Sequence, residues 1–168
     1  IMRFKLDCFV IGKMISIPSI AVYQIAAKLI EFYLMFISRG THVVLTPHFS
    51  TLDGEGKKGY LKQIFLKSLS TAAFLSFSVV TLIIIYGKRF IILWVGKDFI
   101  DAVPVLSVLA VSYSIALAQT PGISLVYALK KHYLFAIASV IEGILNVFLS
   151  LYLAPRYGIV GVALGTAV

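Results

Sequence analysis

The chain has 168 residues, of which 60% are hydrophobic and only 13% are charged, and its formal net charge is +8. Globular domains carry about 25% charged residues, so this composition argues against a soluble domain. The Lys and Arg residues lie in short clusters between apolar runs instead of forming one basic stripe, so we expect membrane lipids and an anionic substrate as partners, and no nucleic acid.

Long uncharged stretches define the fold class. Residues 68–87 and 102–129 contain no Asp, Glu, Lys or Arg and are rich in Leu, Ile, Val, Phe and Ala. A helix needs about 20 apolar residues to cross a hydrocarbon core of about 30 Å. The apolar runs are continuous and do not alternate with polar residues, which favours helices over membrane strands. The sequence therefore predicts an all-α polytopic membrane protein, a helical bundle.

The predicted spans follow one another with short polar connections. In chain order they are 18–46, 64–87, 102–129 and 133–154, with partial spans at 1–14 and 157–168. Pro18 suits the first turn of its helix, where a missing N–H costs no hydrogen bond, and Pro47 is expected to end that helix before a polar loop at 50–59. Residues 88–101, which include Trp94, form the next expected connection.

Proline and glycine mark the later elements. Pro121 and Gly122 predict a break within the third span, and Pro155 is expected to end the fourth. The apolar run after Pro155 is too short to span a membrane, so we expect the chain to be a fragment of a longer membrane protein. The cluster of Gly158, Gly161 and Gly165 favours close approach of two helices over nucleotide binding.

Charged residues inside the first full span are the first candidate site. Lys28 and Glu31 lie three residues apart on one face, with Gln24 one turn earlier and Arg39 about two turns later. A charge at the bilayer centre costs at least about 2.5 kcal/mol, so these residues should face protein or water. They form either an ion pair that fixes helix packing or a polar lining that attracts an anionic headgroup. Arg39 favours the second interpretation, because no acid lies within a turn of it and a guanidinium can bond two phosphate oxygens.

Glu142 and Asn146 are the second candidate site. They lie at positions i and i+4 of the fourth span and therefore on one face. A desolvated membrane carboxylate can exchange a proton or bind a cation, which makes the pair an ion-coupling candidate for H+ or Na+. A hydrogen bond between helices explains the same two residues.

Signals of catalysis are absent from the sequence pattern. His42, His48 and His132 are too dispersed to form a metal site or a triad. Gly54, Gly56 and Lys57 lack the spacing of a phosphate-binding loop. We expect no catalytic residue, no metal and no cofactor, and therefore no enzyme.

Several short motifs occur in an order that resembles a known family. They are Asp7 with Ile11-Gly12, Tyr23 and Ala26, the segment 47–52 (PHFSTL), the segment 94–99 (WVGKDF), Asn146, the segment 157–163 (YGIVGVA) and Gly165-Thr166. Together they resemble the bacterial polysaccharide or O-antigen flippases, a branch of the multidrug/oligosaccharidyl-lipid/polysaccharide exporter superfamily. Each motif is weak, and their order and spacing over nearly the whole chain carry the resemblance.

The resemblance implies a bundle of about twelve spans in two pseudo-symmetric halves, of which this chain is most of the second. Such proteins sit in the bacterial inner membrane. They carry a polyprenyl-diphosphate-linked oligosaccharide across it by alternating access, for O-antigen and lipopolysaccharide production, alongside a polysaccharide polymerase and ligase. The family topology places 47–63 and 130–132 in the cytoplasm. In this frame Lys28 and Arg39 attract the diphosphate, Glu31 orients them, and Glu142 couples transport to an ion.

Three other functions stay open at this level. A multidrug or small-metabolite exporter of the same superfamily would have a more apolar binding cavity. A membrane glycan polymerase or glycosyltransferase would have a large loop outside the membrane, and the connections in this sequence are short. A purely structural membrane subunit is the third alternative.

Overall fold

The structure is a computed structural model that describes residues 2–167, apart from the side chains of residues 2, 3, 5 and 39. The described chain is helical and contains no strand. Its elements are α1 (Met2–Met14), α2 (Ile17–Gly54), α3 (Lys58–Trp94), a 3-10 turn (Lys97–Phe99), α4 (Ala102–Ala118), α5 (Thr120–Ala128) and α6 (His132–Thr166).

Four helical stretches among the described residues are long and apolar enough to cross a membrane. They are Ile17–Gly54, Lys58–Trp94, Ala102–Ala128 and His132–Thr166. Large apolar side chains are exposed on them, with Phe36 and Leu93 each 86% exposed. Such a surface is costly in water and suits lipid. The predicted class, an all-α polytopic membrane protein, is confirmed.

Helix α2 begins where the sequence predicts and ends later. Ser16 caps it, its Oγ accepting a hydrogen bond from the Ser19 N–H at 3.3 Å, and Pro18 lies in the first turn. The expectation that Pro47 ends the helix is wrong, because α2 continues through Pro47 to Gly54. The loop expected at 50–59 is limited to residues 55–57. A proline removes one backbone hydrogen bond, and neighbouring helices and hydroxyls compensate for it in membrane helices. Phe49 and Leu52, both buried, hold this last part of α2 against the bundle.

Helix α3 also runs further than expected. Residues 88–101 are not a single connection, because α3 continues to Trp94 and only 95–101 leave the helix. Lys88 and Arg89 both lie on the exposed side, whereas Ile91 is fully buried. The charges therefore do not interrupt the helix, since they point away from its packed face.

The third predicted span is broken, as Pro121 and Gly122 indicate. Helix α4 ends at Ala118, and α5 begins at Thr120 with Pro121 in its first turn.

Buried hydrogen bonds join helices α2, α3 and α4. The Tyr33 hydroxyl donates to the Ser76 carbonyl at 2.9 Å, and Ser76 Oγ donates to the Ser114 carbonyl at 2.7 Å.

Helix α6 reverses direction at Gly158 and not at Pro155, which corrects the expected end of the fourth helix. Pro155 lies inside the helix, and Gly158 has φ 59° and ψ −140°, a conformation that L side chains rarely adopt. The short limb 159–166 then folds back on the long limb 132–157. A Cβ on Gly165 would lie 2.6 Å from the Ser150 backbone nitrogen, and one on Gly161 would meet the Leu153 carbonyl. The glycine cluster thus permits the close helix approach that the sequence predicts.

Candidate functional site

A buried polar cluster joins α1, α2 and both limbs of α6. The Tyr23 hydroxyl donates a hydrogen bond of 2.6 Å to Asp7 Oδ2, and Thr166 Oγ1 is placed to donate to the same oxygen at 2.9 Å. Asn146 Nδ2 donates to Thr166 Oγ1 at 3.1 Å. These four residues, Asp7, Tyr23, Asn146 and Thr166, form what we call the Asp7 cluster. Each is at most 3% exposed.

The reversal at Gly158 builds this cluster. Asn146 and Thr166 are 20 residues apart, and only the return of the short limb brings their side chains together. The absence of side chains at Gly161 and Gly165 lets that limb lie close enough for the hydrogen bonds. Asp7 and Tyr23 reach the cluster from α1 and α2, which pack against each other. The turn at Gly158 and the small residues Gly161 and Gly165 therefore determine where Thr166 lies in the cluster.

The chemistry of the Asp7 cluster is that of hard oxygen groups. It presents a carboxylate, two hydroxyls and an amide. The Val162 carbonyl lies 3.1 Å from Thr166 Oγ1, as an alternative acceptor of its proton, and 3.5 Å from the Ser150 hydroxyl. Protons and small hard cations prefer such oxygens, and a buried carboxylate is costly unless it is neutralised or hydrogen-bonded. The described residues contain no group of three or more His, Cys, Asp or Glu side chains that could hold a metal ion. The carboxylate and hydroxyl oxygens thus suit a proton or a small hard cation.

A polar cavity lies next to the cluster. It has a volume of about 450 Å³, lies among α2, α4, α5 and α6, and reaches Thr166, which belongs to both cavity and cluster. Its polar lining residues are Ser38, His42, Ser112, Tyr113, Gln119, Thr120, Glu142 and Thr166. His42 Nδ1 and Ser124 Oγ are 2.8 Å apart and tie α2 to α5 at its edge. The cavity therefore reaches Thr166, whose hydroxyl is 2.9 Å from the buried carboxylate of Asp7.

The first predicted site lies elsewhere on α2. Lys28 Nζ and Glu31 Oε2 form an ion pair of 2.7 Å, with the two side chains 64% and 24% exposed. Gln24 Nε2 lies 3.6 Å from Cys8 Sγ. The side chain of Arg39 lies outside the described part of the structure. Gln24, Lys28 and Glu31 do not line the polar cavity, and both roles proposed for them from the sequence remain predictions.

The second predicted pair, Glu142 and Asn146, is divided between the polar cavity and the Asp7 cluster. Glu142 lines the polar cavity, and Asn146, one turn later, belongs to the Asp7 cluster. Sequence reasoning on charge placement missed Asp7, Tyr23 and Thr166 as site residues, although all three stand in the motifs of the family resemblance. The available signal was Asp7 itself, the one acid in α1, whose other charged residues are basic.

The fold and the site together define a polytopic helical membrane protein with a polar cavity that lies next to a buried carboxylate. Within that class, the chain belongs to a family of polysaccharide biosynthesis proteins, whose family model matches residues 1–104. The match covers α1 to α3 and the start of α4, and so includes Asp7 and Tyr23. No curated protein and no solved structure matches the chain. Membership gives the protein a role in polysaccharide biosynthesis or export.

Proposed function

We propose that the protein is a flippase that moves a polyprenyl-diphosphate-linked oligosaccharide across the bacterial cytoplasmic membrane by alternating access, and that it is not an enzyme. Family membership supports the glycan substrate over the drugs or small metabolites of related exporters. The flipped oligosaccharide would then be passed to a polymerase and a ligase on the outer side.

The observation that carries this proposal is the polar cavity inside an apolar bundle. Sugars and a diphosphate cannot cross hydrocarbon without polar surroundings, so a carrier must supply them. The cavity has a volume of about 450 Å³ and contains hydroxyl, amide, imidazole and carboxylate groups. Three of the hydroxyls bond to backbone carbonyls three or four residues earlier in the chain, those of Ser38, Ser112 and Thr120. The imidazole of His42, the amide of Gln119 and the carboxylate of Glu142 are therefore groups that make the lining polar.

The Asp7 cluster is the coupling site in this proposal. Binding or release of one cation or proton at Asp7 changes the hydrogen bonds that Tyr23 and Thr166 donate, and these join α1 and α2 to the short limb of α6. Ion binding is thereby linked to helix packing, which alternating access requires. Glu142 lies along the polar cavity and serves as a relay toward the cluster.

In this proposal the basic residues of α2 bind the diphosphate of the substrate. Lys28 and Arg39 attract the anionic headgroup, while Glu31 holds Lys28 in place through the ion pair of 2.7 Å. Gln24 lies on the same face, one turn before Lys28.

The pools of lipid-linked oligosaccharide in a strain that lacks the gene test this proposal. The two leaflets are distinguished with a glycan-cleaving enzyme that cannot enter the cell. We expect intact repeat units to accumulate on the protected inner face, with surface polysaccharide lost and restored by the wild-type gene. Normal surface glycan in the absence of a paralogue would refute the proposal. Repeat units that reach the outer face without being extended would indicate a polymerase instead.

A further inference from the structure

An apolar groove runs between α2 and α3, away from the Asp7 cluster. It has a volume of about 440 Å³, and its walls are residues 37–45 of α2 and 64–75 of α3. At one end the rings of Phe49 and Phe65 pack edge to face with centroids 6.4 Å apart. At the other end Tyr33 bonds to Ser76 across the two helices. The helices are therefore held together on both sides of the groove, and the space between them is part of the fold.

Small residues create this space. Gly40 faces it from α2 and Ala72 from α3, and a Cβ added to Gly40 would have no neighbour within 4 Å. The hydroxyls in the walls do not make it polar. Thr41 Oγ1 donates to the Ile37 carbonyl at 2.8 Å and Thr71 Oγ1 to the Lys67 carbonyl at 3.0 Å, so each is satisfied by its own helix. The groove thus offers an apolar surface to an occupant.

One cation lines the groove. Lys67 is exposed and forms no ion pair in the described part of the chain. It lies near the predicted start of the second span, where a lysine reaches the headgroup level of the membrane. Two other apolar hollows, around Phe65 and Leu134 and around Tyr86 and Leu106, have no charged residue in their walls. The combination of an apolar groove with a cation at membrane-surface depth distinguishes this groove from those hollows.

Length, lining and charge decide which kind of occupant fits. Nine residues of helix, from Ile37 to Leu45, rise about 12 Å. A hydrocarbon chain can lie along an apolar groove of that length, and Lys67 in its wall is the complement of an anionic group at the end of that chain. An apolar partner helix offers no such group.

We propose that this groove holds the prenyl chain of the lipid-linked substrate next to its phosphates, with Lys67 contacting the first phosphate. This inference rests on the proposed flippase function and adds to it a binding site for the lipid part of the substrate. The carrier then holds the hydrocarbon chain at its lipid-facing surface while the sugars enter the polar cavity. Lys67 supplies the charge complementarity that selects a phosphate-bearing chain over an uncharged one.

Photo-crosslinking on the intact protein in nanodiscs tests this site. The probe is a polyprenyl diphosphate with a diazirine in the isoprene unit nearest the phosphates. We expect labelling within 37–45 and 64–75 of the wild-type protein, and displacement of the probe by unlabelled polyprenyl diphosphate. The Gly40→Leu variant fills the groove without a clash and should reduce labelling on the order of tenfold. The Lys67→Gln variant should weaken binding of the probe to a similar extent.

Ser70→Leu is the matched control. Ser70 is exposed on α3 at the same depth and does not line the groove, so added bulk there should leave labelling unchanged. Displaceable labelling at other residues would overturn the groove and leave the flippase proposal standing. An equal, displaceable signal from a diacyl phosphatidylglycerol probe in the groove would also overturn it, because the site would then belong to bulk lipid. No displaceable labelling anywhere would refute the groove and the flippase proposal together.

Discussion

Removal of the Thr166 hydroxyl tests whether the Asp7 cluster holds three elements together. In Thr166→Val the side chain keeps its shape, but Asp7 Oδ2 loses a donor at 2.9 Å and Asn146 Nδ2 loses its acceptor at 3.1 Å. Hydrogen bonds between membrane helices average about 0.6 kcal/mol and reach about 1.7 kcal/mol. Bonds to a charged group are stronger, about 1.5 to 3 kcal/mol in soluble proteins. We therefore expect a loss of about 1.5 kcal/mol, on the order of tenfold in the folding equilibrium.

The assay is reversible unfolding of the purified protein in mixed micelles, with Thr81→Val as the control. Thr81 is exposed, and its hydroxyl bonds only to the Phe77 carbonyl of its own helix at 2.8 Å. We expect its loss to change the free energy of unfolding by less than about 0.5 kcal/mol. Equal values for the two variants would refute the reasoning, because the cluster would then contribute nothing to helix packing.

Three further predictions follow from the same structure. Gly165→Leu should strongly reduce the amount of folded protein, because the leucine side chain would overlap the Ser150 backbone. Gly40→Leu should express normally, because a Cβ at that position has no neighbouring atom within 4 Å. Equal expression levels of the two variants would contradict the packing of the short limb. Asp7→Asn should abolish the dependence of transport on pH or Na+ while the protein still binds lipid-linked substrate, as measured in proteoliposomes; an unchanged dependence would exclude Asp7 as the coupling site. Charge reversal at both Lys28 and Arg39 should reduce glycan export at normal protein abundance, and wild-type export would show that these cations do not attract the substrate.

The membrane character of the fold could be predicted from sequence because it depends on composition along one segment. Charged residues are absent from stretches such as 102–129 because placing a charge in lipid has a high free-energy cost. The structure contains helices in this stretch, as expected. Helix ends were less predictable. Pro47 and Pro155 both lie inside helices, because tertiary packing outweighs one lost backbone hydrogen bond, and Gly158 is the actual point of reversal.

The candidate site was only partly predictable, because it depends on contacts between distant residues. Glu142 and Asn146 stood out as polar residues on one helix face, and such a local pattern can be read from spacing. The bond between Thr166 and Asp7 joins residues 159 positions apart, and spacing does not predict such a contact. It required the reversal at Gly158, which returns Thr166 to the bundle.

Translocation by the purified intact protein tests the central claim most directly. The protein is reconstituted into proteoliposomes that carry a polyprenyl-diphosphate-linked oligosaccharide in both leaflets, and an added glycan-cleaving enzyme reports the accessible fraction. We predict that accessibility rises from the outer-leaflet share toward completion with the wild-type protein, and more slowly with Asp7→Asn. An accessible fraction that stays at the outer-leaflet share with well-folded wild-type protein would contradict the account.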